Sequence, residues 1–177
     1  RRFPSGKTLT PDRMVAGVKR LAKGWEYDVV SIGYPGPVRE GRPAVEPRNL
    51  GRGWFGFDFP AAFGCPVKMV NDAAMQALGS YRRGTLLFLG LGTGLGAALV
   101  VDGTVVPLEL GHLSIGKKTF EDEIGLRGLE KLGRKKWQKH VEAATKRFVS
   151  ALLLDDVVLG GGNAKKLTRL PMGRQTM

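Results

Sequence analysis

Leu91-Gly92-Thr93-Gly94-Leu95-Gly96 joins two runs that read as strands, Leu86 to Leu89 and Ala97 to Val101. Glycines at alternate positions in a strand-to-strand turn suit a backbone that bends tightly and faces a bulky, charged ligand. The usual ligand of such a turn is phosphate, because successive unhindered N–H groups form an anion-binding concavity. A structural hairpin accounts for the same residues, since Gly-rich turns between strands are common. The turn gains meaning from its neighbours, Asn71-Asp72-Ala73 before it and Glu109-Leu110-Gly111-His112 after it.

Two better-known phosphate motifs are excluded. A dinucleotide fingerprint starting at Gly90 and Gly92 needs its third glycine at 95, which is leucine, and the following segment reads as strand. Gly6-Lys7-Thr8 resembles the end of a P-loop, but the glycine required five residues earlier is Arg1.

Working outward, the pattern alternates strand and helix. Residues 10–23 form an amphipathic helix: Thr10 is the N-cap, Pro11 suits the first position, and Gly24 ends it. Asp28 to Gly33 is a short buried strand, followed by a Pro- and Gly-rich loop from Tyr34 to about Trp54. Pro66 to Val70 is a strand that delivers Asn71-Asp72 to its C-terminal end, and Ala73 to Leu78 is helical. Three close strands follow at 86–91, 96–102 and 104–109, with Asp102-Gly103 as a hairpin turn. Thr119 to Leu132 reads as a helix with a Thr119/Asp122 capping box, and Arg134 to Leu153 as a longer one. On the latter, Lys135, Lys139 and Lys146 lie nearly opposite the apolar Trp137, Val141, Ala144, Phe148 and Leu152. Asp156 to Leu159 is the last strand, running into Gly160-Gly161-Gly162-Asn163 and a short helix. The class is α/β.

Composition narrows the function. An apolar content of 42% supports a packed core, and no apolar run approaches a membrane span. The first residue is arginine rather than methionine, and no secretory signal is expected from these residues. The single cysteine, Cys65, excludes an internal disulfide framework and a multi-cysteine zinc site, so a reducing, cytoplasmic setting is expected. The net charge of +12, spread along the chain, fits either a solvated basic surface or a groove for a polyanion.

The candidate chemical groups each have a structural alternative. Asp72, between a strand and a helix, stands where open α/β sheets hold ligands; it could take a proton in phosphoryl transfer or simply cap the helix. Glu109 and His112 share one tight turn and could bond neighbouring sugar hydroxyls, or be satisfied structurally. No second His or Cys stands at metal-ligand spacing from His112. Glu121 sits in a helix's first turn, where the dipole alone favours an acid. Gly160, Gly161 and Gly162 let the backbone approach a flat or phosphorylated ligand, with a helix N-terminus adding positive potential.

Taken together, these motifs resemble the ROK family of sugar kinases, of the actin-like, hexokinase-like ATPase superfamily, and its polyphosphate glucokinase branch in particular. The residues that carry the resemblance are Gly33 to Val38, Arg48-Asn49-Leu50 with Gly53-Trp54, Asn71-Asp72-Ala73, Leu91 to Gly96, Glu109 to Leu113, and Gly160 to Asn163. Thr119 to Asp122 and Leu132 to Trp137 resemble the polyphosphate branch. The resemblance implies an actin-like ATPase (ribonuclease H-like) fold of two lobes, 1–83 and 84–177. It implies a glucokinase using polyphosphate, ATP or both, with Mg2+ accompanying the donor.

In that resemblance Asp72 is the base acting on the sugar 6-hydroxyl. Gly36, Asn49, Asn71, Glu109, His112 and Glu121 surround the sugar. Gly92, Thr93, Gly94 and Gly96 bind the donor's phosphates, with Gly160, Gly161 and Gly162 facing nucleotide or polyphosphate. Lys135, Lys139 and Lys146 offer a groove for the polymer. Many members hold zinc through a His and three Cys after the Gly-His pair; here those cysteines are absent, so no structural zinc and no other resident metal is expected. A homodimer is the candidate assembly. Members also begin with a strand and an Asp-x-Gly-Gly-Thr turn, and continue past the point matching 163. The fold is therefore expected to be incomplete at both ends, and phosphoryl transfer by these residues alone to be impaired.

Two other readings compete. The same family contains sugar-responsive repressors, which would make this a non-catalytic sugar-binding module; those carry a helix-turn-helix ahead of the sugar domain, and none is read among these residues. Generic nucleic-acid binding would use the charge alone, but the basic face lacks interleaved aromatics and any recognised module.

Overall fold

The structure, a computed structural model, describes residues 2–168 and 174–175. It divides into two compact units, Arg1–Asp72 and Ala73–Met177. The sequence reading placed the lobe boundary at 83/84. The difference is the helix that follows Asp72, whose alanines Ala73, Ala74 and Ala77 are buried.

The first unit opens with helix α1 (Pro11–Leu21), capped as expected by the Thr10 side chain on the Arg13 N–H. Strand β1 (Val30–Tyr34) follows, then a two-residue ribbon of β2 (Val38–Arg39) and β3 (Arg42–Pro43). This ribbon lies inside the segment read as plain loop, and turns on Glu40 and Gly41, both at positive φ. A five-residue helix, α2 (Phe59–Phe63), starts on an Asp58 cap and ends on Gly64 in the left-handed region. Strand β4 (Val67–Asn71) pairs in parallel with β1, bringing Tyr34 opposite Asn71. Tyr34, Trp54, Phe59, Phe63, Met69 and Val15 form the core of this unit.

The second unit begins with α3 (Asp72–Ser80), whose first residue belongs to the first unit. Strands β5 (Thr85–Leu91), β6 (Leu95–Val101) and β7 (Thr104–Leu108) form the antiparallel meander expected from sequence. Two short strands, β8 (Ser114–Ile115) and β9 (Lys118–Thr119), lead into α4 (Phe120–Ile124), which carries both bonds of the Thr119/Asp122 capping box.

The helix expected over 119–132 is not continuous. It stops at Gly125, whose backbone is extended and whose N–H closes on the Glu121 carbonyl at 2.8 Å. The next helix, α5 (Leu126–Leu152), is broken within by Gly133 at φ 72 and ψ 158, and ends where Leu153 turns left-handed. Strand β10 (Asp156–Gly160) pairs in parallel with β5, and β11 (Arg174–Gln175) pairs with β10, giving the sheet order β11-β10-β5-β6-β7. Leu87, Leu89 and Leu91 of β5 meet Trp137, Val141, Ala144 and Phe148 of α5 in the main core. These are four of the five residues that periodicity assigned to the buried side of that helix; the fifth, Leu152, is partly buried against the same core.

Candidate functional site

In the first unit, β4 ends at Asn71, whose Nδ2 donates to the Gly36 carbonyl at 3.1 Å. That bond ties the β1–β2 connection to the end of β4, so two expected sugar-binding positions share one contact. Asp72 is exposed and is itself the first helical residue of α3. It stands within the helix's first turn, one place further in than the capping role considered from sequence. A carboxylate there is favoured by the positive end of the helix dipole.

Asn49 is exposed on a loop organised by a residue that sequence reasoning missed. Glu46 accepts three N–H bonds, from Gly53 (3.1 Å), Trp54 (3.2 Å) and Phe55 (3.2 Å). Desolvation alone would raise its pKa, but those three bonds together with nearby Arg52 outweigh it and hold the carboxylate below its usual range. Behind this loop the Tyr34 hydroxyl donates to the Val45 carbonyl at 2.7 Å. Burial, helped by the Glu46 charge, pushes that phenol up to about 12.

In the second unit, the loop between β5 and β6 is held from several sides. Gly92 N–H is shared between the carbonyls of Gly90 (3.1 Å) and Gly94 (3.2 Å), and Leu95 N–H donates to Glu121 Oε2 (3.2 Å). Thr93 C=O accepts from Leu126 N–H (3.3 Å), and Gly92 C=O from Asn163 Nδ2 (2.9 Å). The sequence reading offered a run of open amides. Two of them are engaged internally, leaving Thr93 and Gly94 N–H without a partner among the described residues, at the exposed tip. Beneath the loop, Ala73 Cβ stands 3.2 Å from where a Cβ on Gly96 would lie.

Asn163 also donates its backbone N–H to the Leu91 carbonyl at 2.9 Å. The glycine run 160–162 is therefore stapled to the start of the 92–96 loop. Gly161 has φ +84, and a Cβ there would stand 2.7 Å from Leu91 O. The helix expected after Asn163 is only a three-residue 3₁₀ turn, Ala164–Lys166. The helix-terminus argument for anion binding at this point accordingly falls away.

Glu109 precedes, and His112 ends, a 3₁₀ turn, Leu110–His112. Their side chains are 62–64% exposed and 3.9 Å apart, open to solvent. Gly111 between them is buried, where a Cβ would lie 3.0 Å from Leu95 O and 3.5 Å from Glu121 Cβ. The turn thus packs through Gly111 on Leu95, at the base of the 92–96 loop, and on Glu121.

On α5, Lys135, Lys139 and Lys146 are all exposed. Helical spacing also puts Glu142, which accepts from Gln138 at 3.1 Å, on that same stripe. Of the three lysines only Lys139 lines a described cavity, about 410 Å³ with His140, Arg147, Phe120 and Glu123. Glu123 there pairs with both Lys118 and His140.

Comparison with known proteins agrees with this architecture. The ROK family model matches residues 1–128. The chain belongs to the ROK family. It is 30% identical over 184 residues to a polyphosphate glucokinase of Mycobacterium tuberculosis, covering 90% of this chain and 68% of that protein. An inorganic polyphosphate/ATP-glucomannokinase from Arthrobacter sp. strain KM superposes with a TM-score of 0.78 at 25% identity, covering 99% of this chain and 80% of that one. A ROK glucokinase from Streptomyces griseus, solved with glucose and AMPPNP, gives a TM-score of 0.71 at 17% identity over 93% and 80% of the two chains. The fold is therefore the actin-like ATPase fold of ROK sugar kinases. Among the described residues no helix is long and apolar enough to cross a membrane.

Proposed function

We propose that this chain carries the site of a glucokinase that moves a terminal phosphoryl group from polyphosphate or ATP to the 6-hydroxyl of glucose. The observation that carries the reading is the loop 92–96. It is fixed at its flanks, leaves the Thr93 and Gly94 amides without a partner among the described residues, and has the Glu109–His112 turn packed at its base. Fixed amides aimed at developing negative charge need no reorganisation during reaction, which is what phosphoryl transfer asks of a protein.

In this reading Asp72 accepts the proton of the 6-hydroxyl as its oxygen bonds to the terminal phosphorus. The bridging P–O bond breaks, releasing ADP or a polyphosphate shorter by one unit. The candidate sugar ligands are Asn71, Asn49 and the Gly36 backbone in the first unit and Glu109, His112 and Glu121 in the second, with Gly160 to Gly162 as candidates for the donor. Mg2+ is normally held by one or two carboxylates plus the substrate's phosphates, and neutralises charge on the transferring group. Among the described residues no group of three or more His, Cys, Asp or Glu could cage a metal. In this reading the ion would arrive with the donor's phosphates.

A coupled assay of glucose 6-phosphate formation on the full-length protein, with ATP and with polyphosphate, tests this. Asp72→Asn should lower kcat by roughly 10²- to 10⁴-fold, the usual worth of a general base, while glucose still binds by calorimetry. Turnover retained in that variant would remove Asp72 from the role of base.

A further inference from the structure

Glu121 was expected at the sugar, but its recorded bonds face the donor loop. Its Oε2 accepts the Leu95 N–H at 3.2 Å, and its Oε1 lies 3.6 Å from Arg127 Nη2. A Cβ on Gly94 would overlap that same Oε2 and stand only 3.1 Å from Cδ. A side chain at 94 would thus displace the Glu121 carboxylate from its place behind the loop. Two positions after Glu121's own helix ends, Leu126 N–H holds the Thr93 carbonyl. The segment 121–126 therefore grips the loop at both Thr93 and Leu95, on either side of the Gly94 amide.

We propose that Glu121 is a positioning residue of the donor loop: by holding Leu95 N–H it orients the peptide planes that present the Thr93 and Gly94 amides to the phosphoryl donor. The proposal rests on the kinase reading and adds a residue through which the donor, rather than the sugar alone, is recognised. The bond is charge-assisted and partly buried. Arg127 balances the carboxylate's charge, limiting its repulsion of an incoming polyanion.

The test is direct binding of inorganic tripolyphosphate and of ATP to the full-length protein by calorimetry without glucose, paired with steady-state kinetics. Loss of one hydrogen bond to a charged group corresponds to roughly ten- to hundredfold in affinity. Glu121→Ala should weaken both donors by about that factor. Glu121→Gln, which keeps an acceptor oxygen for Leu95, should restore most of it. Gly94→Ala displaces the carboxylate without removing it and should weaken donor binding as Glu121→Ala does, and the double variant should be no worse than either. All variants are first checked for an unchanged thermal midpoint. Should Glu121→Ala lose stability, Glu121→Gln and Gly94→Ala carry the test.

A rise in glucose KM with donor affinity unchanged in Glu121→Ala and Gly94→Ala would overturn the proposal and leave Glu121 as a sugar ligand. Additive losses in the double variant would also overturn it. Wild-type protein that binds neither donor would remove the kinase reading itself, and this inference with it.

Discussion

Gly161→Ala should be a strongly damaging single-methyl change near the site, and Gly162→Ala a nearly harmless one. Gly161 occupies φ +84, a conformation that costs an L-residue roughly 1–2 kcal/mol. The added methyl would also stand 2.7 Å from Leu91 O and 2.9 Å from Leu91 C and N. These are backbone atoms in β5, paired on one side with β6 and on the other with β10, so no side chain can swing away. Forcing such a contact costs about 1–3 kcal/mol in a packed interior. The two terms together come to about 3 kcal/mol, which for a chain of this size lowers the unfolding midpoint by roughly 6–12 °C. Gly162 has nothing within 4 Å of its Cβ direction and no positive φ, so its alanine variant should lie within about 0.5 kcal/mol of the parent. Circular dichroism melts of the two variants measure the difference. The shift also pushes Leu91 from Asn163, so Gly161→Ala should lose donor affinity at temperatures where it remains folded. Equal midpoints for the two variants would refute the close-contact reasoning.

Trp137 is fully buried and its Nε1 donates to the Ile124 carbonyl at 2.9 Å. Trp137→Phe should cost about 1–3 kcal/mol by orphaning that carbonyl, and Trp137→Ala about 3–5 kcal/mol, read from denaturant melts; equal costs would discount the bond. Acid should loosen the α4 region. The bonds from the Thr119 N–H and hydroxyl depress Asp122, and the Lys118 bond, outweighing burial and helped by His140, depresses Glu123, whose side chain is 11% exposed. A depressed carboxylate stabilises fully above its unfolded value of about 4 and loses that contribution as pH falls through the lower folded value. Melting points should therefore drop below about pH 4, and less steeply in Glu123→Gln; an identical acid slope would discount Glu123. Charge reversal at Lys135, Lys139 and Lys146 should impair polyphosphate use more than ATP use in the coupled assay. Equal loss with both donors would remove the polymer groove.

The meander was legible because β5 and β6 are long apolar runs and Asp102-Gly103 takes up the two positive-φ positions its turn requires. The buried side of α5 was equally plain from spacing. The break at Gly125 was not, because apolar spacing runs through it. What stops the helix is tertiary, the grip of Leu126 on Thr93. Strands of two residues and a helix of five leave no period to detect, so β2, β3 and α2 were missed, although Asp58 and Gly64 bracketed α2 with capping residues. At the site, residue types announced themselves, while their engagements did not. Nothing in the sequence distinguishes an open Thr93 amide from a Leu95 amide already given to Glu121. Glu46 left no signal for the same reason, since its partners are backbone N–H groups that any residue supplies.

The three amides that surround Glu46 form the kind of concavity that elsewhere receives phosphate, and here the chain fills it with its own carboxylate. A tethered anion is present at an effective concentration no free ligand matches. Phosphate or polyphosphate in the surroundings should therefore not displace it, however abundant the donor. On the proposed reading, the loop that displays Asn49 should keep one shape through changes in phosphate supply, with competition for amides confined to Thr93 and Gly94 of the other unit.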